Sequence, residues 1–166
     1  MSKSLVNKIL ITLAFLFAYR ILAFVPVPGV NSAVIADFFN QNAGNALGLF
    51  NMFSGGAAER FSIISLGVMP YITASIIMEL LAATFANIGK MKKERDGMQK
   101  YMQIIRYATI LITLVQSIGV SIGLQGLNSS SGQGAIMIED MNLFIMLSAI
   151  SMLAGTMLLM WIGEQI

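Results

Sequence analysis

Four stretches of this sequence are long enough and apolar enough to cross a lipid bilayer, and they fix most of what the chain can become. They are residues 5–24 (LVNKILITLAFLFAYRILAF), 61–88 (FSIISLGVMPYITASIIMELLAATFANI), 103–124 (QIIRYATILITLVQSIGVSIGL) and 141–163, the last without one charged side chain. A spanning helix needs roughly 20 mostly apolar residues, because each adds about 1.5 Å against a hydrocarbon core of about 30 Å. A soluble core would need a polar coat. With 57% of 166 residues hydrophobic and 11% charged, there is little to make one from. The sequence therefore predicts an all-α membrane protein with four spans. The first reads as a retained helix. Lys3 and Lys8 resemble the start of a leader, but the apolar run continues to Val25 and no small-residue cleavage site follows.

Basic residues orient the spans. Lys3 and Lys8 precede the first span; Lys90, Lys92, Lys93, Arg95 and Lys100 lie between the second and third, with Arg106 close by. The first connection, 25–60, offers only Arg60, and the third, 125–140, has no Lys or Arg and ends in Glu139-Asp140. The positive-inside rule then places the N-terminus and the basic connection in the cytoplasm. VPVPGV (25–30) reads as rigid and extended, since each proline pushes its predecessor out of the helical region. GLNSSSGQG (126–134) reads as a flexible polar linker. Small-residue pairs at Ala14/Ala18, Gly119/Gly123 and Ser151/Gly155 point to close helix packing.

Chemistry is poorly supplied. The chain has no histidine and no cysteine, which removes the commonest general base, the commonest metal ligand and any thiolate. Serines abound without a base, and every lysine lies in a cytoplasmic segment. No phosphate-cradling glycine loop is present. A net charge of +2 is too small to argue for nucleic acid. Ionisable residues inside spans are costly. Arg20 lies near the outer end of the first span, where snorkelling would relieve it. Glu79 has Lys90 to Lys93 within reach, and Arg106 opens the third span. No catalytic residue, cofactor or metal site is expected. One segment stays unexplained: FNMFSGGAAERF (50–61) is too short to cross a bilayer and too apolar for an exposed loop.

The longer stretch FNMFSGGAAERFSIISLGVMPYITASIIMELL resembles the SecY family of protein-conducting channel subunits. FVPVPGV, RYATILITLVQSIG and GTMLLMWIGEQI extend the likeness, in the family's order, across essentially the whole chain. The resemblance implies the N-terminal four transmembrane helices of a ten-helix bundle, with the second helix split into a short plug (47–59) and a spanning part (61–88). The plug would include Phe50, Asn51, Met52, Phe53, Ser54, Gly55 and Gly56. It would fold back into the outer funnel on a Ser54-Gly55-Gly56 hinge, which accounts for the unexplained segment. Val68 and Ile72 would contribute to the apolar pore ring, and Ile76, Gln116 and Ser117 to the lateral gate.

By the same resemblance, the function would be to pass unfolded secretory polypeptides across, and membrane segments into, the bacterial cytoplasmic (inner) membrane. Partners would be SecE-like and SecG-like subunits, the SecA ATPase or the ribosome, signal sequences and nascent chains. Family members continue well beyond this length, so the chain is expected to be a piece of the full subunit. Two readings compete with the channel: a scaffold subunit of four spans, and an intramembrane serine protease that lacks a base.

Overall fold

The computed structural model describes residues 3–126 and 134–165, without the side chains of residues 3, 4, 47, 50, 53, 95 and 126. Most of the expected polar linker, 127–133, lies outside the described residues. The described helices are α1 (Lys3–Leu22), α2 (Ser32–Gln41), α3 (Ala46–Phe53), α4 (Met69–Thr84), α5 (Ala86–Lys93), α6 (Arg95–Gly123) and α7 (Met141–Gln165). Among the described residues there is no strand, only isolated antiparallel bridges between Pro26 and Ser62 and between Val30 and Ile136. The architecture is all-α, as the apolar runs predict.

Three helices, α1, α6 and α7, are each long and apolar enough to span, and α4 with α5 makes a fourth candidate broken by a 112° bend. The sequence puts the start of that span at residue 61, whereas the helix begins at Met69. Two local causes set the later start. Phe61 (φ 46°) and Gly67 (φ 58°) sit in the left-handed region, which interrupts a right-handed helix. Pro70 then stands in the first turn of α4, where its missing N–H costs no intrahelical bond. Alone, the 16 residues of α4 rise about 24 Å, short of a bilayer core.

Helices α6 and α7 form the scaffold. Thr109, Thr113, Ser117 and Ser121 recur every fourth residue on α6 and are all buried. Thr109, Thr113 and Ser121 return their hydroxyl protons to carbonyls four residues earlier, so burial leaves no donor unmet. Across the interface the hydroxyls of Ser121 and Ser148 hydrogen-bond each other, and Arg106 pairs with Glu164 at 2.7 Å. Those two contacts fix an antiparallel register. Eight residues back along α6 is Thr113, and eight forward along α7 is Thr156, whose buried hydroxyl has no hydrogen-bond partner among the described residues.

The connections opposite the basic end are packed structure. Residues 25–27 run extended, with Val27 N–H donating to Phe61 O (2.9 Å) and Ile63 N–H to Val25 O (3.0 Å). The expected extended stretch does not reach residue 30, because Pro28-Gly29 makes a turn with Gly29 in the left-handed region (φ 84°). Asn31 N–H donates to Ala135 O and Met137 N–H to Gly29 O, each at 2.9 Å, which ties the first connection to the third. Helix α2 was not foreseen in the sequence. Asn31 caps it, its side chain accepting from Ala33 N–H at 3.2 Å, and Val34 and Ile35 enter a core with Val27, Val30, Phe144 and Met152. The signal was present as a capping Asn-Ser before apolar residues at 34, 35, 38 and 39.

Candidate functional site

Val68 caps α4 and Ile72 follows one turn later, so both side chains leave the same helix face. They are 46% and 43% exposed, an exposure shared by Met69, Ile76, Ile77 and Leu80 of the same helix. A cavity of about 420 Å³ lies on one side of them, bounded by Tyr19, Ser54, Gly67, Val68, Ile72 and Leu159. A second, of about 370 Å³, is bounded by Val68, Tyr71, Ile72, Leu159, Gly163 and Glu164. Val68, Ile72 and Leu159 line both. The first space reaches the turn after α3; the second reaches the end of α7, beside the Arg106–Glu164 pair. Three branched apolar side chains therefore stand between two cavities. Leu159 was missed in the sequence because nothing separates it from other apolar residues of an apolar span.

The turn that follows α3 borders the first cavity through Ser54. Asn51 holds the segment closed: its side chain donates to the Glu59 carboxylate (2.7 Å) and accepts from Glu59 N–H (3.1 Å). Ser54 Oγ donates to Asn51 O (2.9 Å) and accepts from Ala58 N–H (3.2 Å). Gly55 (φ 64°) and Gly56 (φ 82°) supply the left-handed backbone that turns the chain. Met52 is exposed, and the side chains of Phe50 and Phe53 lie outside the described residues.

The charged residues of the spans find specific partners. Arg20 does not simply reach for the interface: its Nη1 donates to Gly55 O at 2.9 Å, and its guanidinium lies 5.0 Å from the Phe24 ring centroid. Arg60 stacks on the same ring at 4.3 Å. Glu79 pairs with Lys92, which the bend between α4 and α5 brings within reach, and accepts from Tyr101 Oη at 3.5 Å.

Of the three residues expected at a lateral opening, the structure treats each differently. Ile76 is exposed on α4. Gln116 lines a groove of about 450 Å³ with Leu66, Met69, Thr73, Gly119 and Val120. Ser117 is fully buried and donates to Leu114 O at 2.9 Å. It belongs to the polar stripe of α6, a quarter-turn round the helix from the groove. A Cβ on Gly119 or Gly123 would meet open space, so that pair makes no close contact here, whereas one on Gly155 would overlap the Ile63 carbonyl.

A family model described as SecY matches residues 62–166. The protein translocase subunit SecY of Helicobacter pylori is 68% identical over 166 residues, all of this chain and 39% of that protein. The subunit of the same name from Pseudomonas aeruginosa is 47% identical over 159 residues, 93% of this chain and 34% of that protein. That of Escherichia coli strain K12 is 40% identical over 161 residues, 96% of this chain and 36% of that protein. The chain thus spans about two fifths of the length of these curated relatives, 39% at most among the three.

Proposed function

The chain belongs to the SecY family, and on that premise we propose that it forms the N-terminal part of the pore subunit of a protein translocase. As a multi-pass membrane protein it lies in the bacterial cytoplasmic membrane with its N-terminus and its lysine-rich connection on the cytoplasmic side. It passes unfolded polypeptides and performs no catalysis of its own.

The observation that carries this reading is the pair of cavities meeting at Val68, Ile72 and Leu159. An hourglass needs an apolar waist. Branched apolar side chains exclude water and ions from a narrow passage by dewetting, yet they have rotamer freedom to part around a chain. Val68 and Ile72 are this chain's share of the ring, with Leu159 beside them. Residues 47–59, built around Phe50, Asn51, Met52, Phe53, Ser54, Gly55 and Gly56, act as the plug over the outer cavity. Ile76 and Gln116 face the lateral gate, where an apolar signal helix would lie in the groove beside Gly119, and Ser117 supports that wall from behind. The remaining ring positions, the opposite gate wall, the SecE-like and SecG-like subunits and the docking loops for SecA or the ribosome lie in the rest of the assembly.

The test is electrical. Val68→Ser with Ile72→Ser in the full-length complex should let ions leak through the idle channel while precursor export continues. Export into inverted membrane vesicles, driven by ATPase added outside, checks the orientation in the same preparation. A variant channel as tightly closed as the parent would reduce Val68 and Ile72 to packing residues, and vesicles that import nothing would overturn the translocase reading.

A further inference from the structure

The turn expected to act as a hinge is tied down from outside. Two consecutive residues of α1 reach it: Tyr19 Oη donates to Ser54 O at 3.3 Å, and Arg20 Nη1 donates to Gly55 O at 2.9 Å. Both acceptors are main-chain carbonyls, turned outward by the left-handed backbone of Gly55 and Gly56. The guanidinium of Arg20 is steadied by the Phe24 ring one turn further on. Within the segment, Asn51 bonds to Glu59 and Ser54 to Asn51 and Ala58, which closes residues 51–59 into a loop anchored at its far end by Ala57, buried beside Ala23 and Leu159. Flexing at Ser54-Gly55-Gly56 would break that loop. Release from α1 would not.

We propose that Tyr19 and Arg20 are positioning residues that latch the plug shut, with Ser54-Gly55 as the catch. The inference rests on the pore reading above. A guanidinium donating to a carbonyl makes a stronger bond than a neutral donor does. Arg20 is exposed, however, so water can replace the carbonyl as its partner, and the latch is firm enough to bias the closed state without fixing it. Lysine at this position could still donate to Gly55 O, though without the planar group that stacks on Phe24.

Single-channel recording of the full-length reconstituted complex tests the latch, with thermal stability of the same complex measured alongside. Arg20→Gln should raise the frequency of idle openings about tenfold, which converts to about 1.4 kcal/mol, and Tyr19→Phe about threefold. Arg20→Lys should restore most of the closure, and all three variants should melt with the parent. A purely structural role would shift the melting temperature and gain nothing from lysine. If Arg20→Gln and Tyr19→Phe stay as quiet as the parent while the Val68→Ser/Ile72→Ser channel leaks, the latch is wrong and the pore reading stands. If none of them leaks, the pore reading falls and the latch with it. Should Arg20→Gln yield no folded complex, Tyr19→Phe decides alone, because it removes one hydroxyl and leaves the packing intact.

Discussion

The pair α6–α7 and the segment from α3 to Gly67 are both apolar and adjoin the same cavities, yet they are held by opposite means. In the helix pair, backbone groups are satisfied internally, and α6 presents a buried row of hydroxyls that bond within their own helix or across to Ser148, with Thr156 of α7 the unpaired exception among the described residues. In the α3–Gly67 segment, the backbone turns through four left-handed residues, Gly55, Gly56, Phe61 and Gly67. Its second half is buried at Ala57, Phe61 and Ile64 and tied by backbone bonds to Val25 and Val27, whereas its first half, as far as Gly56, is held to α1 by two bonds from side chains to the Ser54 and Gly55 carbonyls. A seam repeated over several turns resists displacement because many contacts must fail together. A segment held at a handful of points can leave when those points let go. The contrast separates a fixed wall from a movable part without reference to any function.

The two regions meet at Gly155, and the largest effect is expected there. A side chain at this position would occupy the space of the Ile63 carbonyl and press on Ile64, both in the turns leading to α4. Gly155→Leu must separate α7 from that backbone or distort it, and overpacking of this kind costs about 1–3 kcal/mol or more. The expected outcome is loss of folded, membrane-inserted protein, measured as the yield of intact complex after detergent extraction. Normal yield would mean that the α3–Gly67 segment adapts freely to α7, and the distinction between wall and movable part would collapse.

The wall was far more legible in the sequence than the movable part. Apolar runs of about 20 residues announce spanning helices regardless of context, and three such helices with a bent fourth candidate are present. What could not be read are features set by contacts between distant segments. Arg20 looked like an interfacial residue because its partner, the Gly55 carbonyl, lies 35 positions away. Ser117 looked equivalent to Gln116, but the register of α6 on α7 buries one and leaves the other in a groove. The late start of α4 was readable in principle from Gly67 and Pro70, but the apolar run masked it.

A change confined to the movable part should be smaller and should spare the wall. Gly56 has φ 82°, and although Arg60 leaves space for a Cβ, the backbone conformation itself is unfavourable for alanine. Gly56→Ala should cost roughly 1–2 kcal/mol locally. The expected readout is more frequent idle opening, or faster proteolysis near the turn, with the global melting temperature of the complex unchanged. A fall in global melting as large as the local loss would show that the two regions unfold as one.

The smallest effect belongs to the seam itself, and its size tests why the seam is rigid. Ser121 donates to the Ser117 carbonyl and accepts from the Ser148 hydroxyl, whose single proton has Ile145 O at 3.2 Å as its alternative acceptor. Removing one hydroxyl by Ser148→Ala leaves Ser121 its backbone acceptor, so no buried donor is stranded. Single interhelical hydrogen bonds in membranes contribute about 0.6 kcal/mol on average, because the separated helices find other partners. The expected shift in denaturant or thermal stability is therefore close to that figure. No change in idle conductance is expected, since Ser148 is buried and borders neither cavity at the waist. A loss several times larger would mean that the Ser121–Ser148 contact dominates the α6–α7 register. The rigidity of the wall would then rest on one point, as the position of the Ser54-Gly55 turn rests on two, and the physical difference between the two regions would be one of degree.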